Sequence, residues 1–376
     1  MATASQGADF GPDVPLREVD AELARQAAAI RGDDPAPLRH ARMSNLIVYC
    51  GDPGEADRVC GLIPEIVDRH PARVLLLIAD AEGGAGEVTA SVRVRRVGEG
   101  GRNVSEQITL RAGGRGADRL PFAVRGLVIG DLPTNLWWAS AEPPPLAGPI
   151  LRDLAESAQQ VIYDSLGWRD PHHGVAATSP WLDRTERDPG AGRWRVASDI
   201  NWRRLKTWRR VLAQGLDPAV APGLLDEASE ILIEHGPHAV TQAWHLASWL
   251  ASRLRWSYRA NKLKPGVEIA FQFLAPHGPV RLRIDRLPEG PPAIRRVRVA
   301  RGFEGQDGGV EFTADPDGRL AITPLNGECC ADRTVMGRDQ EIAELIGRQL
   351  SDREPDPIFR QSMRVAHVLA QHVPFH

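Results

Sequence analysis

Two apolar runs around a charged helical stretch limit what this chain can fold into. The segment reads SNLIVYCGDPGEADRVCGLIPEIVDRHPARVLLLIADAE, residues 44–82. Leu46 to Tyr49 and Val74 to Ala79 are apolar throughout, with no polar alternation. A strand of that kind needs cover on both faces, which parallel sheets obtain from the helices of their crossovers. The segment therefore predicts a βαβ unit and, with it, an α/β domain.

The pattern continues downstream. Thr89 to Val97 and Glu106 to Leu110 alternate, and Leu127 to Ile129 reads as a further buried strand running into LPTNLWWAS. Pro133 lacks a backbone donor, which predicts that the chain leaves the sheet there. A helix over Gly148–Ser157 and a strand over Gln160–Tyr163 close a Rossmann-like α/β domain spanning residues 44–185. Residues 1–43 read as an N-terminal extension, with one amphipathic helix over Pro15–Arg31 presenting Val19, Leu23, Ala27 and Ile30. Residues 166–195, interrupted by DPHHG, SPWLD and RDPGAG, read as irregular.

Residues 186–376 predict an α+β domain of helices packed on an antiparallel sheet. Asp199 is the candidate N-cap of a helix with Trp202, Leu205, Trp208 and Leu212 on one stripe. A longer helix covers Pro237–Arg255. Five alternating runs follow, at Val267–Phe273, Val280–Ile284, Ile294–Val299, Val310–Phe312 and Leu320–Ile322, separated by Pro and Gly. They predict an antiparallel meander, with a slip near Arg295 marking a bulge. Helices over Arg338–Leu350 and Pro357–His372 end the chain. The fold class is α/β plus α+β.

Composition narrows the function classes. A formal charge of −3 over 376 residues gives no overall bias toward nucleic acid. No run of 18 apolar residues is present, so a membrane partner is not expected, and no secretory leader is evident. Cys50, Cys60, Cys329 and Cys330 show no zinc spacing. A cytoplasmic protein with reduced thiols is the expectation, Cys329 and Cys330 being two thiols in a loop.

The chemistry-bearing motifs are sparse. The turn after the first strand reads CGDPGEAD, with two glycines and three acids where a dinucleotide fingerprint needs glycines and a phosphate-tolerant helix start. The acids suit the helix dipole instead. GGAG at 83–86 and GEGG at 98–101 precede no helix and read as hairpin turns. His172 and His173 are neighbours in a polar loop, and His235 and His238 flank a helix junction. No catalytic, cofactor-binding or metal-binding residue is assigned.

Aromatic usage is the stronger signal. Ten Trp against three Tyr cluster at 137/138, 194/202/208 and 244/249/256. In the last helix His245, Trp249, Ser252 and Trp256 share one face while Leu246, Leu250 and Leu254 share another, and one of these faces could be an interaction surface. Arginines flank Trp202 and Trp208, and Trp with Arg is the composition of interface hot spots. The candidate interface residues are Trp137, Trp138, Trp202, Arg203, Trp208 and Arg209. Neighbours in an extended chain point to opposite faces, so one of Trp137 and Trp138 is expected in the core and the other at a domain or partner interface.

The stretches VIGDLPTNLWWASAEPP, DINWRRLKTWRRVLAQ, AWHLASWLASRLRW and IAELIGRQLSDREPDPIFRQSM together resemble the glucose-6-phosphate dehydrogenase assembly protein family, OpcA. The Leu-Pro strand ending in Trp-Trp is matched by Leu132, Pro133, Trp137 and Trp138. The Asp followed by Trp-x-Arg and Trp-Arg is matched by Asp199, Trp202, Arg203 or Arg204, Trp208 and Arg209. The Asp356–Pro357 step matches the spacer of the final helix pair. The resemblance runs from about Asn45 to the C-terminus. It implies a non-catalytic partner that binds glucose-6-phosphate dehydrogenase and supports its active oligomer, at the entry to the NADPH-producing oxidative pentose phosphate pathway. The alternatives are a sugar-phosphate- or nucleotide-binding enzyme using the α/β domain, revealed by turnover or a retained cofactor, and a nucleic-acid-binding module using the Arg/Trp helix, revealed by salt-dependent DNA retention.

Overall fold

The structure, a computed structural model, describes residues 10–31, 39–40, 42–80, 82–83, 86–98, 103–186, 195–264, 268–302, 308–326, 333–335 and 341–373. Two compact units divide the chain. Unit 1 takes residues 1–164, 184–200 and 341–355; unit 2 takes 165–183, 201–340 and 356–376. The boundaries expected at 43/44 and 185/186 fall elsewhere, because unit 1 includes residues 1–43 and segments 184–200 and 341–355 return to it.

Unit 1 is built on nine strands: β1 (Asp13–Val14), β2 (Arg39–His40), β3 (Ser44–Cys50), β4 (Ala72–Asp80), β5 (Thr89–Val97), β6 (Asn103–Gly113), β7 (Thr134–Trp138), β8 (Gln160–Tyr163) and β9 (Val196–Asp199). Their order is β1-β5-β6-β4-β3-β7-β8-β9, with β2 beside β6. The run from β6 to β9 is parallel, and β5 and β1 are added antiparallel at one edge. Helix α1 (Val19–Arg31) buries Val19, Leu23 and Ala27 and packs on β5. The described part of residues 1–43 thus contributes two strands and a helix to unit 1 and is no separate extension.

Helix α2 (Pro53–Arg69) links β3 to β4, as the apolar runs required. Against it lies a helix from far downstream, α10 (Ile342–Ser351), whose Ala343, Leu345, Ile346 and Leu350 join Ile63, Ile66 and Val67 in one core. Gly347 sits where an added Cβ would meet Arg69 at 3.3 Å. Helices α3 (Leu120–Arg125) and α4 (Gly148–Ala155) complete the unit.

The segment around the double tryptophan differs from its sequence reading. Leu127 to Ile129 is no strand. The chain turns there, pinned by Asn45, whose Nδ2 donates to Ile129 O at 2.9 Å and whose Oδ1 accepts from Ile129 N at 3.0 Å. Pro133 precedes a strand and ends none: β7 begins one residue later and lies between β3 and β8. A proline just outside a strand costs no ladder bond. Both indoles are then covered, Trp137 at 2% exposure among the α2/α10 core and Trp138 at 1%. Trp138 stacks on Tyr49 with centroids 4.2 Å apart and donates from Nε1 to Glu142 O at 2.8 Å.

Unit 2 carries most of α5 (Pro171–Glu186) and α6 (Ile200–Arg204), then α7 (Lys206–Gly215), α8 (Leu224–Glu227), α9 (Val240–Arg253) and α11 (Pro357–Gln371). Its strands are β10 (Glu230–His235), β11 (Ser257–Lys264), β12 (Glu268–Ala275), β13 (Gly278–Arg286), β14 (Ile294–Ala300), β15 (Gly309–Ala314), β16 (Leu320–Leu325) and β17 (Arg333–Val335). The order β11-β12-β13-β10-β14-β15-β16-β17 corrects the plain meander. β10 inserts between β13 and β14, parallel to the first and antiparallel to the second. Its sequence, EILIEH, stands alone between helices, and so short an apolar run carries no strand signal of its own. The expected bulge is present: His235 pairs Ile294 and Glu234 pairs Arg296, leaving Arg295 extra.

Further corrections concern helices. Residues 166–195 contain α5, which begins at the DPHHG segment: Asp170 Oδ1 accepts from His173 N at 3.1 Å and supports the first turn. His172 and His173 are thus helical. The Asp199 helix divides at Leu205 into α6 and α7, and Asp199 itself ends β9. The stripe survives, with Trp202, Leu205, Trp208 and Leu212 all buried. Gly215 lets α7 press on the sheet, since a Cβ there would come within 2.6 Å of the Phe312 ring. In α9, Thr241 to Ser248 are all buried, so its Leu246–Leu250 face and His245 are both covered. Trp194, Cys329 and Cys330 lie outside the described residues, as do parts of GGAG and GEGG.

Trp137→Ala and Trp138→Ala are each expected to lower unfolding free energy by roughly 3–5 kcal/mol, the range for removing a buried indole. Urea unfolding followed by circular dichroism checks both. A variant that unfolds at the wild-type midpoint would show that its indole is not part of the core.

Candidate functional site

In an open α/β sheet the place for a ligand is the crevice where strand order reverses, outside the carboxyl ends of the strands. Here that switch point lies between β3 and β7. One carboxylate closes it. Glu55, 3% exposed in the first turn of α2, accepts from Gly51 N at 2.6 Å and from Ala141 N at 2.8 Å. Gly51 follows β3 and Ala141 follows β7, so the Glu55 side chain ties both lips of the crevice. Asp52 caps α2 by accepting from Glu55 N at 2.8 Å. The lips also approach closely: a Cβ at Gly51 would meet Ser140 Oγ at 2.8 Å. Three backbone donors at these lips, Gly51 N, Glu55 N and Ala141 N, are held by the chain's own acids rather than facing outward as an anion site requires. Glu55 is one of the three acids of the CGDPGEAD turn. The Asp52-x-x-Glu55 spacing resembles a capping box, which turns the third-position acid back toward the helix start; here it reaches one residue further, to Gly51 N.

The second concentration of chemistry lies in unit 2 and gathers motifs far apart in sequence. The Trp202 indole donates from Nε1 to Asp356 Oδ2 at 2.8 Å. Asp356 also caps α11, its Oδ1 accepting from Ile358 N at 2.9 Å and Phe359 N at 3.0 Å. The Arg209 guanidinium stacks over the Trp202 ring, 3.5 Å from the centroid, and donates from Nη1 to Trp202 O at 2.8 Å. His245 and Phe359 meet the same indole, with centroids 6.2 and 5.3 Å away.

Electrostatics follow from burial. Desolvation lowers the Arg209 pKa to about 10, with Asp356 opposing, so the cation persists at neutral pH. Desolvation, with Arg209 adding to it, pushes His245 down to about 3 and keeps it neutral. His70, His172 and His235 are also held below the ordinary histidine value by burial.

The six candidate interface residues therefore divide. Trp202 and Arg209 are brought together. Trp208, buried one turn on, lines a cleft of about 300 Å³ with Arg204, Gln242, Arg295 and Asp315. Arg203 is half-buried on α6. Trp137 and Trp138 belong to unit 1. Burial pushes the Cys50 thiol above its ordinary value, which disfavours thiolate chemistry there, and Cys60 is a buried free thiol. Among the described residues no cluster of three His, Cys, Asp or Glu could hold a metal, and no helix is long and apolar enough to cross a membrane.

Comparison with known proteins agrees with the ordered motifs. Residues 64–179 match the family model described as glucose-6-phosphate dehydrogenase subunit N-terminal domain, and residues 195–363 the corresponding C-terminal domain. The OxPP cycle protein OpcA of Synechocystis sp. is 27% identical over 326 residues, covering 83% of this chain and 66% of that protein. The OpcA of Nostoc punctiforme is 30% identical over 195 residues, covering 51% of this chain and 40% of that protein. The chain thus spans two thirds or less of the length of these two relatives. Among solved structures, a 3-ketoreductase from Actinomadura kijaniata superposes with a TM-score of 0.51 at 11% identity, over 88% of this chain and 96% of that one, a likeness of fold.

Two outcomes are expected from this geometry. Glu55→Ala leaves two backbone donors without their carboxylate, at about 1–3 kcal/mol for each buried unpaired group; Glu55→Gln, which keeps an acceptor oxygen, loses less. Urea unfolding of both variants reads the difference. For His245, the folded value is about 3 and the ordinary value 6.5. Between these the unfolded chain binds a proton that the folded chain refuses, so stability falls as pH drops from 6.5 toward 3, by about 1.4 kcal/mol per unit. His245→Phe should remove about one proton from that slope. Unfolding at pH 7 and pH 5 compares the two proteins, and equal slopes would contradict the assignment.

Proposed function

The chain belongs to the OpcA family, and we propose that it is a non-catalytic assembly factor that binds glucose-6-phosphate dehydrogenase in the cytoplasm and supports its active oligomer in the oxidative pentose phosphate pathway. The observation that carries this reading is the Glu55 closure of the switch-point crevice. An α/β unit whose phosphate-facing donors are bound by an internal carboxylate keeps the architecture of a dehydrogenase domain while giving up the site such an enzyme uses. That argues against the alternative of a nucleotide-binding enzyme working through unit 1. The family descriptions, which name a glucose-6-phosphate dehydrogenase subunit, support this choice of partner.

On this reading the α6–α7 segment is the contact region. Trp202 and Arg209 act from beneath as positioning residues, because both are engaged within unit 2. Arg203, with exposed Lys206 and Arg210, forms the outward side of the same helices. Trp208 shapes the adjoining cleft. A binding partner can shift an oligomer toward its active form only by the difference in its affinity for the two states. Activation should therefore saturate with binding.

Purified alone, the protein is expected to show no oxidation of glucose 6-phosphate with NAD or NADP. Titrated into the dehydrogenase of its own organism, it should co-elute with the enzyme and raise kcat or lower KM for the sugar phosphate. Arg203→Glu should weaken that binding by about tenfold or more, the 1.4 kcal/mol scale on which interface arginines register. Binding without any change in rate across a full titration would overturn the activator reading; turnover by the protein alone would overturn the non-catalytic one.

A further inference from the structure

The cleft beside Trp208 is lined only by residues of unit 2, from the first turns of α7 and α9 and the ends of β14, β15 and β16. Strand alternation fixes part of what it contains. Val297 pairs Phe312, whose ring meets α7 at Gly215, so Val297 faces the helices. Arg295 stands two residues before Val297 and shares that face. A guanidinium is out of keeping with a row otherwise filled by Val297 and Val299, both fully buried. Arg295 is also the extra residue of the β10–β14 bulge, and a bulge re-aims a side chain where a site needs it.

The other polar groups are fixed in place around it. Gln242, 5% exposed, spends Oε1 on Ile294 N at 3.2 Å, and its Nε2 has no acceptor among the described residues. Trp208 adds an indole N–H and Thr207 a hydroxyl. The single lining acid, Asp315, is anchored by its own turn: Oδ1 accepts from Asp317 N at 2.9 Å and Arg319 N at 2.8 Å. Arg295 and Asp315 line one cleft without pairing, and Arg295 has no ion-pair partner among the described residues. Opposite charges that share a cleft and do not meet leave each to a ligand.

We propose that this cleft binds a sugar phosphate, with the phosphate on Arg295 and the hydroxyls on Asp315, Gln242 and the Trp208 indole. Charge selects the anion. Arg204 and Arg295 line the cleft against one carboxylate, and a guanidinium fits phosphate oxygens two at a time. A free amino acid carries no net charge to answer that excess. The remaining groups suit hydroxyls, which both donate and accept: Asp315 takes their protons, while Gln242 and Trp208 donate to their oxygens. At about 300 Å³ the cleft stands at the small end of the roughly 300–1,000 Å³ range of ligand sites, room for one sugar phosphate and too little for a dinucleotide.

Calorimetric titration of the purified chain with glucose 6-phosphate and with ribose 5-phosphate tests the proposal. At least one should bind saturably, one per chain, with glucose and inorganic phosphate each about tenfold weaker or more. Arg295→Gln, with unchanged circular dichroism, should weaken the sugar phosphate by about tenfold or more, as loss of a charged hydrogen bond does. Asp315→Asn keeps Oδ1 for the turn and should weaken the sugar phosphate while leaving inorganic phosphate as it was. No saturable binding of either sugar phosphate at millimolar concentration overturns the proposal on the wild type alone. Inorganic phosphate bound as tightly as the sugar phosphates overturns it in favour of a bare anion site, and glutamate bound more tightly than either overturns it in favour of a zwitterion site. Folded variants that bind like the wild type also overturn it, because the ligand then sits elsewhere. Should a variant fail to fold, the wild-type comparison with glucose, phosphate and glutamate still decides. The dehydrogenase enters none of these measurements, so the outcome is independent of the assembly reading.

Discussion

A backbone N–H that leaves water must find an acceptor, and in both units an internal carboxylate supplies it at the decisive place. In unit 1, Glu55 holds the donors of Gly51 and Ala141, one and three residues beyond two neighbouring parallel strands. In unit 2, Asp356 holds the donors of Ile358 and Phe359 at the start of α11 and takes the Trp202 indole as well. Each carboxylate joins elements distant in sequence, 86 residues apart in one case and 154 in the other. Hydrogen bonds to charged acceptors are stronger than neutral ones, and losing one partner leaves a buried group unpaired. Each clamp fixes local geometry: one ties the turns that follow β3 and β7, and the other joins the helices bearing the Trp and Arg motifs.

The sequence made the strands of unit 1 legible where their own residues carry the constraint. β5 and β8 fall on the expected bounds, and β3 and β4 contain the expected apolar runs. β3 and β4 announce themselves because burial on two faces favours an unbroken apolar run. What escaped was whatever depends on a partner distant in sequence. Leu127 to Ile129 is as apolar as a strand, and it is turned aside by local turn bonds together with the hydrogen bonds of Asn45, 84 residues earlier, so β7 starts later than the sequence suggests. β10 escaped because an isolated run of six residues could be helix or strand until β13 and β14 flank it. Likewise α10 was expected as a helix, but nothing in its sequence says that it packs on α2.

The tryptophans show a similar limit. Trp and Arg in proximity are enriched in interfaces, and equally in any site where a large ring and a planar cation can stack. Periodicity placed Trp202 and Trp208 on one stripe, and the stripe is indeed buried. It could not show that Arg209, seven residues on, folds back over the Trp202 ring, or that Asp356 closes the other side. The matched motifs converge on one cluster because each provides what another lacks: an indole donor, a carboxylate acceptor and a cation over the ring face.

Burial also settles why His245 can stand beside a cation. Arg209 and His245 share the Trp202 indole, and two positive charges in so dry a space would repel with little solvent to screen them. The chain resolves this by charging only one. Arg keeps its proton even when desolvation lowers its affinity, since it starts far above neutral pH and falls only to about 10. A histidine starts at 6.5, so the same burial takes it below the physiological range. The pairing works because the two side chains begin six units apart: one environment leaves Arg209 charged and His245 neutral, and a second arginine or lysine at position 245 would bring an unpaired cation into the centre of unit 2.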